Sequence, residues 1–344
     1  MNKCFVIAEA GVNHNGSAEL ALELVNIAAE AGADAVKFQT FSADKLVCKG
    51  ADKAEYQKEA TGKGDQYSML KKLEMSEQLH LDLIEKCTSL GIEFMSTAFD
   101  EEALDFLLAH GMKRIKIPSG EITNYPFIRY IASKNLPIIL STGMATMAEV
   151  LDAKKVIQQE RVEHNFSQSI DTILTILHCT SNYPAEPEDV NLRAMNTIFE
   201  LTKVPIGYSD HTLGVAVSTG AVALGAKVIE KHFSISRDLP GPDHKASLEP
   251  KELAGLVSNI RTISKALGSP IKQPTQSELP VRELVRRSVT VLREVKQGQV
   301  LESKDLVLMR PGNGILPKDF NEVIGQKAIR CLSPGDTLQW ADIK

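Results

Sequence analysis

Two histidines stand at the ends of neighbouring short apolar runs of the sequence. His211 follows the run VPIGYS (204–209), and His232 lies at the end of KVIEKHF (227–233). Neutral imidazole binds Mn²⁺, Fe²⁺, Co²⁺ and Zn²⁺, so two rings at equivalent positions of adjacent strands would reach one divalent ion. A lone histidine there is more often a hydrogen-bonded core or rim residue, and it is the pairing that favours a metal. The groups that would complete or orient such a site are Glu230, Asp210, Asp243 and His14.

Two lysines stand at the ends of other runs, beside short Ser/Thr-Gly turns. Lys37 and Lys116 are the lysines, and Ser119, Ser141 and Thr142 are the neighbouring hydroxyl residues. Hydroxyls and backbone N–H groups at such turns would complete a cradle for a small di- or trianion. The competing functional interpretation is a lysine that forms a Schiff base with substrate. The interpretation without a function is a solvated lysine at a strand end. Two lysines beside two turns of this kind favour the anion cradle.

Polar or ionisable side chains occur at the end of every apolar run. In a barrel of parallel strands, the carboxyl ends of the strands converge on one mouth, where the active site lies. A purely structural sheet edge would not require such a series, so we expect these side chains to share one site. They are Glu9, Asn13 and His14; Lys37 and Gln39; Thr97; Lys116, Ser119 and Glu121; Ser141 and Thr142; His178, Ser181 and Tyr183; Ser209, Asp210 and His211; and Glu230 and His232.

The apolar runs alternate with amphipathic helical segments, which predicts a parallel sheet covered on both faces. Eight strand–helix units within about 268 residues match the count and size of a (β/α)₈ barrel, an α/β fold. An open doubly wound sheet is the alternative, but the GxGxxG pattern that usually follows its first strand is absent. The runs are 4–9, 35–38, 93–97, 114–119, 137–142, 173–179, 204–209 and 227–233.

The chain has 344 residues, so a barrel leaves a remainder. We expect a catalytic barrel over 1–268, a linker with three prolines over 269–285, and a small β-rich domain over 286–344. Within that domain VLREVKQGQVLESKDL (291–306) partly recurs as AIRCLSPGDTLQWADI (328–343), which predicts two similar halves.

Composition narrows the possible partners. The 39 Lys and Arg against 44 Asp and Glu give a net charge of −5, so we expect neither nucleic acid nor a membrane as partner. The five cysteines are scattered and form no CxxC, so neither a disulfide framework nor a structural zinc site is indicated. No apolar stretch approaches the ~20 residues that span a bilayer, and we expect a cytoplasmic protein. His80, His110 and His164 fall in helical or loop patterns and are expected at the surface.

Ten motifs together resemble the sialic acid synthase family, whose members condense phosphoenolpyruvate (PEP) with a 2-acetamido mannose-type sugar to a nine-carbon 2-keto acid. The resemblance covers essentially the whole chain, in order. It implies a PEP-binding (β/α)₈ barrel followed by a small antifreeze-like (SAF) domain. The motifs are IAEAGVNHNGS (7–17), KFQT (37–40), STAFD (96–100), KIPSGEITNYP (116–126), ILSTGMAT (139–146), LHCTSNYPA (177–185), GYSDHT (207–212), IEKHF (229–233), PGPDHKASLEP (240–250) and RPGNG (310–314).

The resemblance also implies roles for individual residues. His211 and His232 match the metal ligands, for Mn²⁺ with Mg²⁺ or Co²⁺ as alternatives, and Glu9 matches a glutamate that handles protons. Arg310 matches an arginine with which the small domain of one subunit enters the barrel mouth of the other, which implies a domain-exchanged homodimer. The positions that hold PEP are Lys37, Thr97, Lys116, Ser119 and Ser141, with further substrate contacts at Ser181 and Ser209. Positions that contact the sugar or the metal-bound water are Gln39, Tyr183, Glu121 and Asp243.

Two motif variants indicate the sugar. KFQT and PSGEITNYP resemble members that make N,N′-diacetyllegionaminate from a 6-deoxy diacetamido mannose, whereas makers of N-acetylneuraminate typically read KHQT and GSGECNNYP. We expect Phe38, and the loss of Asn-Asn at 123–124, to make the pocket less polar, in keeping with a sugar that lacks a 6-hydroxyl.

Three alternatives remain open. One is N-acetylneuraminate synthesis from N-acetylmannosamine. A second is a Schiff-base aldolase that uses Lys37 or Lys116. The third is an inactive sugar-binding regulator, which would have lost several of the strand-end residues.

Overall fold

The computed structural model of the protein describes residues 3–344. The chain forms two compact units, one extending to Gly268 and the other spanning Ser269–Lys344. The first contains eight parallel strands: β1 (Phe5–Gly11), β2 (Ala35–Thr40), β3 (Glu93–Ala98), β4 (Ile115–Ile117), β5 (Ile138–Ser141), β6 (Leu174–Cys179), β7 (Ile206–Asp210) and β8 (Val228–His232).

The strand order shows that the sheet closes into a barrel. Strand β1 pairs with β2 on one side and with β8 on the other, so the first and last strands are neighbours. The ladder order is β3-β2-β1-β8-β7-β6-β5-β4, and the two edge strands β3 and β4 are also in contact. The predicted (β/α)₈ barrel is confirmed, and each of the eight predicted strands overlaps an observed one.

Helices connect successive strands and cover the outside of the barrel. Helix α1 begins after Ser17, whose hydroxyl accepts the Leu20 N–H, and α5 ends at Gly91, which adopts the left-handed conformation that favours glycine. The helices are α1 (Ala18–Glu30), α2 (Ala43–Leu46), α3 (Glu55–Thr61), α4 (Gln66–Lys71), α5 (Glu77–Leu90), α6 (Glu101–Ala109), α7 (Tyr125–Ser133), α8 (Met147–Glu163), α9 (Ile170–Ile173), α10 (Pro187–Val190), α11 (Ala194–Thr202), α12 (Ala216–Ala223) and α13 (Pro250–Ala266), with 3₁₀ turns at Ser119–Glu121 and His244–Ala246.

Strand alternation divides the apolar side chains into two cores. One large core lies between the strands and the helices and includes Val36, Phe38 and Tyr208. A separate small core fills the barrel interior and consists of Ile7, Ala35, Met95, Ile139, Leu177 and Val228. Because successive side chains of a strand point to opposite faces, the residue two positions beyond each interior residue also points inward.

The second unit contains the repeat that the sequence predicts. Strands β9 (Ser288–Val291) and β10 (Leu306–Met309) are antiparallel. In the first copy Arg293 contacts Asp305 at 3.2 Å, and in the second Arg330 contacts Asp342 at 2.7 Å. Each aspartate is the last residue of a 3₁₀ turn of the same kind, at Ser303–Asp305 and Trp340–Asp342, and the equivalent Leu301 and Leu338 are fully buried. The two similar halves are therefore confirmed.

The remaining helices of this unit are short. Helix α14 (Glu278–Val285) lies inside the segment predicted to be a linker, so that segment is not irregular throughout. The Glu283 C=O accepts the Gly312 N–H at 2.7 Å, which joins α14 to a later segment of the same unit. Helix α15 (Phe320–Val323) follows a 3₁₀ turn at Pro317–Asp319.

The expectation that His80 lies at the surface is wrong. His80 is on the inner face of α5, only 3% exposed, with Nε2 2.8 Å from Thr40 Oγ1 and Nδ1 2.8 Å from the Ser76 C=O. Its neighbours on the buried face of the helix are Leu79 and Leu83. His110 and His164 are exposed, as predicted. Among residues 3–344, the structure has no helix long and apolar enough to cross a membrane.

Candidate active site

A cavity of about 510 Å³ opens at the carboxyl ends of the barrel strands. Its size is typical of a small-molecule site, and its place is where barrel enzymes act. Many of the predicted site residues of the first unit line it: Glu9, Lys37, Gln39, Thr97, Lys116, Ser119, Glu121, Ser141, Ser181, Tyr183, Ser209, His211, Glu230, His232 and Asp243. Five members of the strand-end series do not line it, contrary to expectation: Asn13, His14, Thr142, His178 and Asp210. Arg310 belongs to the second unit, where it is exposed.

The barrel interior explains why these side chains meet. Six of the cavity residues stand two positions beyond the six members of the interior core, so strand alternation turns them into the same space, one layer nearer the mouth. These six are Glu9, Lys37, Thr97, Ser141, Cys179 and Glu230. Sequence analysis did not select Cys179 as a site residue. It placed Glu230 among the strand-end side chains and beside the metal, but not between the two lysines. The regular i+2 step from each interior apolar residue is the signal that finds both.

Two carboxylates and two lysines form a buried charge cluster at the floor of the cavity. Lys37 Nζ lies 2.7 Å from Glu9 Oε2 and 3.6 Å from Glu230 Oε2, and Lys116 Nζ lies 3.7 Å from Glu230 Oε1. Lys37 also donates to Thr97 Oγ1 at 3.0 Å, and Ser209 donates to Glu230 Oε1 at 3.1 Å. Glu230 therefore contacts both lysines and holds them on the same side of the cavity.

Burial and charge shift the pKa values of this cluster in different directions. Burial raises the pKa of Glu9 to about 7, although Lys37 opposes the rise. Burial also acts against ionised Glu230, but Lys116 and Lys37 outweigh it and lower its pKa. Burial lowers the pKa of Lys116, whereas the two carboxylates overcome burial and raise that of Lys37. Glu9 is thus the carboxyl of the cluster that can exchange a proton near neutral pH.

Hydroxyl groups form a second feature of the cavity, next to Lys116. The Gly143 N–H donates to Ser119 Oγ at 2.9 Å. A Cβ at position 143 would lie 2.1 Å from Ser181 Oγ, so only glycine lets these hydroxyls approach the turn. Ser141 Oγ is buried, and within residues 3–344 it has no hydrogen-bond partner. A buried hydroxyl without a partner, beside a lysine, fits a site for an anionic ligand.

The histidine pair lies in the same cavity, with the ring centroids of His211 and His232 5.5 Å apart. His211 Nδ1 is 2.6 Å from the Thr180 C=O, so Nδ1 carries the proton and Nε2 keeps its lone pair. His232 Nδ1 is buried, has no hydrogen-bond partner in the described chain, and lies 3.9 Å from Asp243 Oδ2. Tyr183 packs against both rings, at centroid distances of 4.0 and 5.6 Å.

These residues fit a divalent metal held by two protein ligands. Within residues 3–344 no group of three or more His, Cys, Asp or Glu side chains has metal-binding geometry, so the other positions would be taken by water or substrate oxygen. Burial and the neighbouring His211 lower the pKa of His232 well below its usual value, which keeps it neutral. Burial opposes protonation of His211, but Cys179 outweighs burial and raises the pKa of that imidazole.

A long insertion between β2 and α5 forms one wall of the cavity, and sequence analysis missed it. It carries α2, α3 and α4 and contributes mainly apolar side chains: Phe41, Leu46, Val47, Ala54, Tyr56, Gln57, Gln66, Met69 and Leu70. The Tyr56 ring stacks on that of Tyr183, with centroids 5.2 Å apart. Burial raises the pKa of Tyr56 to about 12, so its hydroxyl stays neutral. In a barrel, the segment that follows each strand helps to build the active site, so the length of this insertion after β2 is the signal that could have found the wall.

The expected effect of Phe38 and positions 123–124 on pocket polarity is wrong. Phe38 is fully buried in the core outside the barrel, 6.2 Å from Phe94, because it alternates with the inward-facing Lys37. Thr123 and Asn124 are exposed and do not line the cavity. Asn124 instead caps the start of α7 and donates to Glu121 Oε2 at 2.6 Å.

His14, considered as a third ligand, also lies outside the lining of the cavity. It is fully buried, and its Nδ1 accepts the Gly16 N–H at 3.0 Å. Asp243 does reach the cavity, and burial raises its pKa to about 6.

The chain belongs to the NeuB family, whose profile matches residues 24–272, and residues 286–344 match the SAF domain. It is 53% identical to N,N′-diacetyllegionaminic acid synthase of Legionella pneumophila, over 99% of this chain and 95% of that one. It is 45% identical to the protein of the same name from Campylobacter jejuni, over 96% and 97% of the two chains. A solved N-acetylneuraminic acid synthetase of Leptospira borgpetersenii, in complex with citrate, superposes with a TM-score of 0.71 at 36% identity, covering 81% of this chain and 90% of that one.

Proposed function

We propose that this enzyme condenses PEP with an N-acylated, mannose-type amino sugar to give a nine-carbon 2-keto sugar acid and phosphate. One observation carries the proposal: a single cavity holds both an anion cradle and a pair of metal-binding imidazoles. PEP supplies the anion, and the carbonyl of an open-chain sugar is the kind of group that a metal polarises. The names of the two relatives from Legionella pneumophila and Campylobacter jejuni support the same chemistry.

The anionic half of the cavity suits PEP, which carries a phosphate and a carboxylate. Lys116 and the hydroxyls of Ser119, Ser141 and Ser181 would hold one of these groups, and Lys37 with Thr97 the other. Much of the catalysis would then be positioning, because fixed charges and donors hold the reacting carbon of PEP toward its partner. The Schiff-base alternative is less well supported, since each lysine already contacts a carboxylate.

The other half of the cavity would hold the sugar. His211 and His232 would bind a divalent ion, with Mn²⁺ as the proposed metal and Mg²⁺ or Co²⁺ as alternatives, and such an ion supplies Lewis acidity toward a carbonyl oxygen. Gln39, Glu121, Tyr183 and Asp243 line this half and would bind sugar hydroxyls. Gln39 donates to Glu9 Oε1 at 3.3 Å, which links the sugar side to the charge cluster.

The reaction balances with these groups. C3 of PEP attacks the aldehyde carbon, the new C–C bond forms, and positive charge develops at C2 of PEP. Water adds at C2 and loses a proton, and the aldehyde oxygen gains one. The bond from C2 to the phosphate oxygen then breaks, and the hydroxyl at C2 gives its proton to the departing phosphate, which leaves the 2-keto acid. Glu9, with a pKa of about 7, would carry a proton between these steps. The lysines and serines would keep the phosphate in place until it leaves.

For the sugar, we propose a 6-deoxy diacetamido mannose, so that the product is N,N′-diacetyllegionaminate. The apolar wall formed by the insertion between β2 and α5 supports this choice, because a methyl group and the methyl of a second acetamido group bury best against apolar surface. N-acetylmannosamine, which gives N-acetylneuraminate, is the alternative substrate.

We further propose that the enzyme acts in the cytoplasm as a domain-exchanged homodimer, with Arg310 of one subunit binding the sugar's N-acetyl group in the barrel of the other. An exposed arginine in the SAF unit is suited to this role. A charged donor on an amide oxygen would contribute roughly 1.5–3 kcal/mol.

Phosphate release from PEP tests the function directly. The purified, Mn²⁺-loaded protein is offered N-acetylmannosamine, the 6-deoxy diacetamido mannose or the diacetamido altrose. We expect the highest kcat/KM with the second sugar and loss of activity with EDTA. Release with N-acetylmannosamine alone would support the alternative sugar. Activity that survives EDTA, together with trapping of a substrate by borohydride, would replace the proposal with a Schiff-base aldolase.

A further inference from the structure

Behind the two histidines, a fully buried ion pair joins the same two strands. Asp210 and Lys231 stand opposite each other in the register of β7 and β8, with Nζ and Oδ2 3.1 Å apart and both side chains 0% exposed. Each immediately precedes one of the histidines, so strand alternation turns it to the other face of the sheet. There Ser218 of α12 donates to Asp210 Oδ2 at 2.6 Å. Neither charged residue lines the cavity.

Regular pairing of β7 with β8 ends at this ion pair. Beyond it the two chains turn to different neighbours. The His211 C=O accepts the Ala185 N–H at 2.9 Å, and the His232 C=O accepts the Leu248 N–H at 2.9 Å. Asp210 and Lys231 are therefore the last opposed residues before the two imidazoles.

The ion pair also fixes the turn that carries His211. Asp210 Oδ1 accepts both the N–H and the hydroxyl of Thr212, at 2.9 and 2.8 Å, and Lys231 donates to the Thr212 C=O. The residues on either side of His211 are thus bonded to each other and to β8. The His211 ring has a further bond to the Thr180 C=O. The His232 ring nitrogen Nδ1 has none in the described chain, so its placement depends more on the backbone that Lys231 holds.

Stability alone is a poor explanation for such a pair. Removing two charges from water costs several kcal/mol per ion, and apolar replacements of similar volume are often neutral or stabilising. The ion pair makes four further hydrogen bonds to neighbouring groups. A role in fixing the positions of the surrounding backbone accounts for these bonds better than a role in stability.

We infer that Asp210 and Lys231 are positioning residues that set the separation and direction of His211 and His232 for a divalent metal. The inference rests on the metal site of the proposed function. It assigns no contact with substrate to either residue, since both point away from the cavity. The predicted consequence is a change in metal binding that is measurable without turnover.

The test uses the full-length variant D210N/K231M, which removes both charges and nearly preserves shape. Mn²⁺ affinity is measured by electron paramagnetic resonance without substrates, Co²⁺ geometry by its visible absorption, and folding by the melting temperature. We expect Mn²⁺ binding to weaken about 10- to 100-fold and the Co²⁺ spectrum to change, with the fold retained. The matched control, E93Q/R114M, neutralises an ion pair of 2.6 Å at the opposite end of the strands and should bind Mn²⁺ as wild type does.

Three results would overturn the inference. The first is wild-type Mn²⁺ affinity in folded D210N/K231M, and the second is an equal loss in the control. If D210N/K231M does not fold, S218A is the variant to test, since it removes a single bond to Asp210 without changing charge. We expect S218A to weaken Mn²⁺ binding several-fold, and unchanged Mn²⁺ affinity in S218A is the third contradicting result. A wild-type protein that binds no Mn²⁺ contradicts the proposed metal site itself, which separates that failure from failure of the positioning role.

Discussion

Glu9 and Lys37 face each other across β1 and β2, with Oε2 and Nζ 2.7 Å apart and both side chains buried. The lysine expected to bind an anion therefore already has an anionic partner. An incoming phosphate or carboxylate must share that lysine with Glu9, and the competition weakens when Glu9 takes up a proton. Because burial brings the pKa of Glu9 to about 7, this exchange falls within the working pH range of most enzymes.

Anion binding should therefore depend on pH through Glu9. Below pH 7 Glu9 is protonated in free and bound protein, and PEP affinity is at its plateau. Above pH 7 the free protein ionises Glu9 first, so binding must take up a proton, and affinity falls by up to about tenfold per pH unit. Titration of PEP by calorimetry from pH 6 to 9 measures this effect. PEP itself also titrates, and the E9Q variant measures that contribution because it has no carboxyl at position 9. If PEP affinity falls with pH as steeply in E9Q as in the wild type, the prediction is wrong.

Removing either imidazole should remove the metal while the fold survives. H211A and H232A are each expected to lower Mn²⁺ affinity more than about 100-fold, since losing a direct ligand exceeds the loss of an outer partner. Metal content after dialysis measures this, and circular dichroism checks the fold. H110A, at an exposed position outside the cavity, is the matched control. Full activity in metal-free H232A protein would rule out the metal assignment.

Loss of Arg310 should separate the two substrates. In R310A we expect KM for the sugar to rise roughly 10- to 100-fold, the loss of one charged hydrogen bond, while PEP affinity stays within twofold. Steady-state kinetics with each substrate varied in turn gives both numbers. K318A replaces another exposed cation of the SAF unit and should change neither. An equal loss of PEP affinity in R310A would show that the arginine does not act on the sugar.

The apolar wall should decide between sugars. Tyr56 stacks on Tyr183, so Y56A would remove part of the surface against which a second acetamido group packs. We expect kcat/KM for the diacetamido sugar to fall about tenfold more than that for N-acetylmannosamine, a difference of ~1.4 kcal/mol. Tyr67, which donates to Asp44 at 2.7 Å and does not line the cavity, gives the control Y67A. A parallel fall for both sugars would assign Tyr56 to general packing.

The barrel should lose stability in mild acid through His14. Burial lowers the pKa of His14 to about 4, whereas an unfolded histidine titrates near 6.5. Between pH 6.5 and pH 4, His14 is therefore protonated in the unfolded state but stays neutral in the folded state. The His14 contribution to the free energy of unfolding is fully present above pH 6.5 and falls by roughly 3 kcal/mol as the pH drops to 4. Urea unfolding at pH 7.5 and pH 5 measures the change, which H14N should reduce and the exposed-site variant H110N should not.

Local sequence patterns predict much of the fold and most of the residue types in the site. Apolar runs alternating with amphipathic segments predict the barrel, and the side chain that ends each run predicts what the mouth contains. The Arg–Asp pairs of the SAF unit follow from a repeat that is visible in the letters alone. These features depend on periodicity, which each segment carries by itself.

Tertiary structure decided what periodicity alone left open. Phe38 faces the outer core although its neighbour Lys37 faces the cavity, and Glu230 contacts two lysines from distant parts of the chain. The wall around Tyr56 lies over Tyr183 only because the insertion folds back across the mouth. The sequence by itself determined which strands form and which chemistry they carry. Only the closed barrel decided which side chains meet, because those contacts join residues that are far apart along the chain, and closure alone brings them within ångströms.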